Sequence, residues 1–159
     1  MKSKTLHLIV TLFLFSIQTQ SQVIANGNND FENDLIGWNT QRDWWDSSTN
    51  IVIDASFPYS MNKAAKFNGH STLYNQLYTD ISGLTVGDDY NLDFFAKGGE
   101  ADLYVGTTSN VYNGTYFYIS EQTSYTLRTL SFTATHSTMR LWIDFYPNTS
   151  VHYVDNFSI

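Results

Sequence analysis

The 159-residue chain contains no cysteine, which excludes disulfide staples, thiol nucleophiles, thiolate zinc ligands and a thioether-linked lipid anchor. Basic residues are scarce, eight Lys and Arg against fifteen Asp and Glu, for a formal net charge of −7. Nucleic-acid binding and adhesion to anionic membranes both run on clustered Lys and Arg, so neither is expected. Charge of either sign makes up only 14% of the chain, against about 25% in an ordinary soluble domain. Proline occurs twice. No apolar run approaches the roughly 20 residues of a membrane-spanning helix. What the chain has instead is aromatic side chains, 16% of it, with eleven Tyr, eleven Phe and four Trp. A chain of this kind, poor in charge but rich in aromatic and β-branched residues, folds.

The first residues read as a processing signal. Lys2 and Lys4 precede an almost wholly apolar stretch at 6–17, and small residues at Thr19 and Ser21 suit cleavage just after Ser21. That is the layout of a secretory signal peptide over residues 1–21. The domain is then 22–159, secreted, extracellular or periplasmic. Export without cysteine points to a bacterial source. Without Lys2 and Lys4, six basic groups face fifteen acidic ones.

Beyond the leader there is no 3.6-residue apolar stripe. Short alternating runs occur at 51–54, 64–68, 72–81, 90–97, 101–106, 116–120, 127–134, 139–147 and 151–159. Turn pairs such as Asn68-Gly69, Gly98-Gly99 and Asn113-Gly114 separate them. Strands at this spacing predict an all-β fold, a single β-sandwich of two antiparallel sheets.

Strand parity carries the functional signal, because alternate side chains face opposite sides of a sheet. In 90–97 and 130–134 the outer set is mostly polar, as on a solvated sheet. Four other strands differ. Leu141, Ile143 and Phe145 as core leave Arg140, Trp142, Asp144 and Tyr146 outward. Leu73, Leu77 and Ile81 leave Tyr74, Gln76 and Tyr78; Leu103 and Val105 leave Asp102 and Tyr104; Phe117 and Ile119 leave Tyr116 and Tyr118. If these strands share a sheet, it presents an aromatic platform studded with planar hydrogen-bonding groups. Such a surface suits sugars, whose C–H faces stack on Tyr and Trp while Arg, Gln and Asp read the hydroxyls. Cross-strand aromatic pairing and a protein or dimer interface are the alternatives that parity leaves open.

Several stretches resemble one family. Asn29-Asp30-Phe31-Glu32 followed by Ile36-Gly37-Trp38 is similar to the N-terminal signature of galactose-binding-like carbohydrate-binding modules, families four, nine, sixteen and twenty-two. So are the stretches 60–67, Ile81-Ser82-Gly83-Leu84-Thr85-Val86-Gly87, Phe95-Ala96-Lys97-Gly98 and the closing Tyr153-Val154-Asp155-Asn156-Phe157-Ser158-Ile159. The resemblance spans nearly all of 22–159 in order. It implies a jelly-roll β-sandwich, a polysaccharide ligand in a cleft on one sheet, and a structural calcium ion. Glu32 and Asp155 match the family's side-chain ligands, with carbonyls of the 59–63 turn (Tyr59, Asn62) completing the site. Calcium takes 6–8 oxygen ligands, so the donor set is chemically apt. In that turn Met61 stands where the family pattern has glycine.

By position, Gln76, Tyr104, Trp142 and Asp144 fall where the family presents cleft residues. Trp44 and Trp45 are adjacent, so both cannot be core within one strand, and they are expected at the cleft rim. The contact set is therefore Trp44, Trp45, Tyr74, Gln76, Tyr78, Tyr104, Tyr116, Tyr118, Arg140, Trp142, Asp144 and Tyr146.

A glycosidase needs two carboxyls flanking the scissile bond. Asp102 and Asp144 share the face, but no sequence feature gives either a special environment. His70, His136 and His152 lack metal-ligand spacing and read as solvated. The expectation is a non-catalytic module for a neutral polysaccharide, working alone or with a separate secreted enzyme or cell-surface protein. The competing expectation is a structural or adhesive jelly roll that docks protein through its aromatic face.

Overall fold

The computed structural model describes residues 21–42, 50–148 and 150–159. Among them are eleven strands, two single-turn 3-10 segments and no α-helix. The strands are β1 (Val23–Ile24), β2 (Asn39–Arg42), β3 (Ile51–Asp54), β4 (Ala64–Phe67), β5 (Asn75–Ser82), β6 (Asp89–Gly98), β7 (Ala101–Gly106), β8 (Thr115–Ile119), β9 (Gln122–Thr133), β10 (Thr138–Phe145) and β11 (His152–Ser158). One sheet runs β1-β5-β10-β7-β8, with β2 paired to the same edge of β5 as β1; the other runs β3-β4-β11-β6-β9. Every pairing is antiparallel. This is the expected jelly-roll sandwich.

Alternation builds the core as parity predicts. Leu77, Ile81, Leu103, Val105, Leu141 and Ile143 from one sheet meet Phe67, Leu92, Phe94, Val154 and Phe157 from the other, all fully buried. Each such side chain contributes about 1.5–3 kcal/mol of burial. Two strands were invisible to patterning. β1 has only two residues, and β2 reads Asn-Thr-Gln-Arg, with no apolar alternation. The run expected at 72–81 begins pairing only at Asn75, because His70 Nδ1 accepts from the Thr72 and Leu73 amides and holds 70–73 as a turn. β9 starts five residues earlier than expected.

One histidine expectation is corrected. His152 is buried, 2% exposed, facing Phe145 and the Asn148 amide. Burial disfavours its imidazolium and lowers its pKa to about 4.

The N-terminal signature is a folding device. Asn28 is buried and donates to the Asp34 and Ile36 carbonyls at 2.9 and 2.8 Å, while its own carbonyl accepts the Trp38 indole N–H at 2.8 Å. That loop seats the Phe31 ring against Trp38 and Phe157. Asn29 and Phe157 exchange bonds, amide to carbonyl in both directions, joining this loop to β11.

Candidate functional site

β5, β10, β7 and β8 lie side by side, so the four aromatic outer faces form one surface. Register arranges it in rows. Tyr78, Trp142, Tyr104 and Tyr116 lie opposite one another across the four strands, with Asn39 of β2 beyond Tyr78. The next row is Gln41, Gln76, Asp144, Asp102 and Tyr118. Arg140 pairs with Asp80 in a third row, binding it bidentately through Nε at 2.8 Å and lying 5.1 Å over the Tyr78 ring. Tyr74, Tyr146 and Glu100 stand at the other end of the face, where Tyr146 contacts both Tyr74 and Tyr118.

Parity assigns direction correctly but not exposure. Trp142, Gln76 and Asp144 point out of the sheet yet are only 7%, 2% and 8% exposed. Tyr78 stacks on Trp142 at 4.6 Å, and Gln41 covers Gln76 with a 2.6 Å bond. Tyr112, from the turn Val111–Asn113, lies over the rest, its hydroxyl donating to Asp144 at 3.1 Å. Asp144 also accepts from the Trp142 indole at 2.6 Å and the Gln76 amide at 2.8 Å. Burial raises its pKa, and Asp102 adds to that, while the three donors oppose it. These residues form the buried floor of the face.

The open part is centred on Asp102, which sequence reasoning placed on the face without naming it a contact. Its Oδ1 accepts from Tyr116 and Tyr146, both at 2.9 Å, and Oδ2 from Tyr104 at 3.3 Å. Tyr118 donates to Glu100. Tyr74, Tyr116 and Tyr118 are exposed, and Tyr78, Tyr104 and Tyr146 half-buried. Burial and the neighbouring carboxylates push the Tyr104 and Tyr146 phenols well above their ordinary pKa, so they stay neutral hydrogen-bond donors. Gln41, Glu100 and Tyr112 were also missed, lying on a strand without apolar alternation, just before β7 and in a connection. Trp44 and Trp45 lie outside the described residues.

On the other sheet Glu32, the 59–63 turn and Asp155 do come together. Glu32 Oε1 accepts from the Asn62 and Lys63 amides at 2.8 Å, and the Asn62 side-chain amide donates to Oε2. Asp155 Oδ2 accepts from the Tyr59 and Ser60 amides at 2.9 and 3.0 Å. The turn thus presents N–H groups, where carbonyl donors were expected of Tyr59 and Asn62. Asp155 Oδ1 is buried with no hydrogen-bond partner. Burial raises the carboxyl's pKa to about 6. A buried, unpartnered carboxylate oxygen fits a cation. Met61 adopts a left-handed φ of 51° with its side chain 73% exposed, which explains the glycine of the family pattern.

No protein-family model and no curated protein matches the chain. Solved structures do, at 20% identity or less, and what they share with the chain is the fold. A family 61 module, solved in complex with β-1,4-galactotriose, superposes with a TM-score of 0.61 at 14% identity, over 82% of this chain and 92% of that one. A family 16 module gives 0.61 at 20% identity, over 82% and 95%. Modules of families 4 and 22 share the fold. The enzymatically active domain of bacteriophage CBA120 tailspike protein 4 superposes at 0.67 and 11% identity, over 82% of this chain but only 20% of that one.

Proposed function

We propose that the chain is a secreted, non-catalytic carbohydrate-binding domain that holds a neutral polysaccharide on the face formed by β5, β10, β7 and β8. The observation that carries this reading is the ring of tyrosines around Asp102, three of whose hydroxyls it fixes. Fixed phenols offer stacking area at low entropic cost and acceptors for sugar hydroxyls. Asp102 and Glu100 make the open part of the face acidic, and Arg140 is already engaged by Asp80, which disfavours a polyanionic glycan. Asp144 is buried with three donors in place, which favours binding over hydrolysis, since neither oxygen is open to a glycosidic bond. We further infer that Asp155 and Glu32 hold a calcium ion that ties the 59–63 turn to β11. The apolar stretch at 6–17 behind Lys2 and Lys4, which reads as a secretory leader, supports export.

The test is affinity electrophoresis of the 22–159 domain through gels containing individual neutral polysaccharides. Retardation in at least one gel, lost in Tyr116→Ala, is the expected result. Unchanged mobility throughout, combined with concentration-dependent dimerisation that Tyr116→Ala abolishes, would replace this reading with protein docking.

A further inference from the structure

We propose that Tyr112 is the specificity-determining side chain of this face, closing its inner flank so that the site accepts unbranched chains and rejects side-branched ones. The proposal rests on the carbohydrate-binding reading above.

The open rings form a strip across the strands. Tyr74, Tyr146 and Tyr118 follow one another with centroids 5.7 and 6.3 Å apart, the first pair near-perpendicular at 80° and the second tilted at 49°, so a sugar stacked on one ring meets the edge of the next. Asp102 lies along the inner edge of that strip, bonded to Tyr146. Tyr112 bonds Asp144, the cross-strand neighbour of Asp102, and lies 4.8 Å from the Tyr104 ring and 6.1 Å from Trp142, edge-on to both. A sugar resting on the strip turns one edge toward Asp102 and Tyr112. Hydroxyls on that edge meet phenols and a carboxylate. A side branch on it would need the volume that the Tyr112 ring fills.

Tyr112 is held as a wall. Val111 before it is buried, and the turn is closed by the Gly114 amide on the Val111 carbonyl at 3.0 Å. Thr107 Oγ1 accepts the Asn110 amide at 3.0 Å. Gly106 and Gly114 pack so closely on the Val111 and Val105 backbones that a Cβ on either would overlap them. The phenol is fixed at its far end by Asp144. Removing the ring would open space over Trp142, Gln76 and Asp144, whose polar groups suit the hydroxyls of a branching sugar.

Three matched probe pairs test this by titration calorimetry on the 22–159 domain. They are cellohexaose with a xyloglucan oligosaccharide, xylohexaose with its arabinosylated form, and mannohexaose with its galactosylated form. The wild type is expected to prefer the unbranched member of the pair it binds by about tenfold or more. Tyr112→Ala should erase most of that preference by gaining affinity for the branched member. Tyr112→Phe, which keeps the ring and loses only the hydroxyl, should retain it. Equal wild-type affinity within a pair would overturn the inference and leave the binding reading standing. So would a Tyr112→Ala loss that falls equally on both members. Absence of binding to all six probes, with no polysaccharide retarding the domain in gels, would overturn both.

Discussion

Tyr116 of β8 and Tyr146, just past β10, donate to the same oxygen of Asp102, each at 2.9 Å. One carboxylate therefore sets the position of two rings from strands that do not touch, and a third phenol, Tyr104, binds its other oxygen. Hydrogen bonds to a charged group are worth about 1.5–3 kcal/mol each. Asp102→Ala is expected to release all three rings and weaken glycan affinity by about 2 kcal/mol or more. Asp102→Asn keeps one carbonyl acceptor and should lose less. Calorimetric titration with the best-binding polysaccharide checks this; equal affinity in Asp102→Ala would remove Asp102 from the site.

The two prominent aromatics of the face should behave oppositely on truncation. Trp142 is 7% exposed beneath Tyr78 and Tyr112, whereas Tyr116 is 52% exposed. Trp142→Ala is expected to cost about 3–5 kcal/mol of stability. Tyr116→Ala, which loses an exposed bond to Asp102 and little burial, should cost about 2 kcal/mol or less. Urea unfolding of both variants decides, and similar midpoints would contradict the burial described for Trp142.

How much of this was legible in the sequence follows from the range of each signal. Alternation is local, so it placed Tyr78, Trp142, Tyr104 and Tyr116 on one face and Leu77, Leu141 and Leu103 on the other. Covering is a property of neighbours in space. Trp142 is hidden by a cross-strand stack with Tyr78 and by Tyr112, which arrives from a connection without periodicity. His152 alternates like any strand residue, and nothing beside it in sequence announces that Phe145 and Asn148 enclose it. Asp155 and Glu32 were paired through family resemblance alone, since each reaches the other's neighbourhood only through the 59–63 turn that both bind.

Met61 is the strained position of that turn. A non-glycine residue in the left-handed region costs roughly 1–2 kcal/mol, and its side chain is 73% exposed, so little packing offsets this. Glycine recovers the strain but adds freedom to the unfolded chain. The net expectation for Met61→Gly is a gain of up to about 1 kcal/mol, read as a raised thermal midpoint. A lowered midpoint would show that the side chain stabilises the turn.

Acid should destabilise the fold through His152. Its pKa is about 4 when folded and 6.5 unfolded. Between those values the unfolded chain binds the extra proton, so stability is full above pH 6.5 and falls as pH drops through 4. The slope is at most about 1.4 kcal/mol per pH unit. Denaturant titrations at pH 7 and 4.5 should show a smaller loss in His152→Gln than in the wild type. Identical losses would exclude His152 as the source.

Asp155 acts in the opposite sense when no cation is bound. Its folded pKa of about 6 exceeds the ordinary 3.8, so its contribution is present below 3.8 and lost as pH rises through 6. A calcium ion on Oδ1 would reverse that by favouring the carboxylate. Calcium is therefore expected to raise the thermal midpoint at pH 7 relative to chelator, in the wild type and not in Asp155→Asn. The same midpoint with and without calcium would eliminate the ion.

β11 follows β3, β4, β6 and β9 along the chain, yet it occupies the middle of their sheet, between β4 and β6. During synthesis that sheet consists of two unconnected halves, β3-β4 and β6-β9, with the groove between them empty. Phe157 and Val154, which fill the core from that groove, are made after every other strand of this sheet. Nascent chains are therefore expected to remain open until translation has passed β11, since the second sheet lacks its middle strand until then. Loop closure over such separations slows folding. A ribosome-bound chain halted just before His152 should stay protease-sensitive throughout, however completely its first sheet can pair.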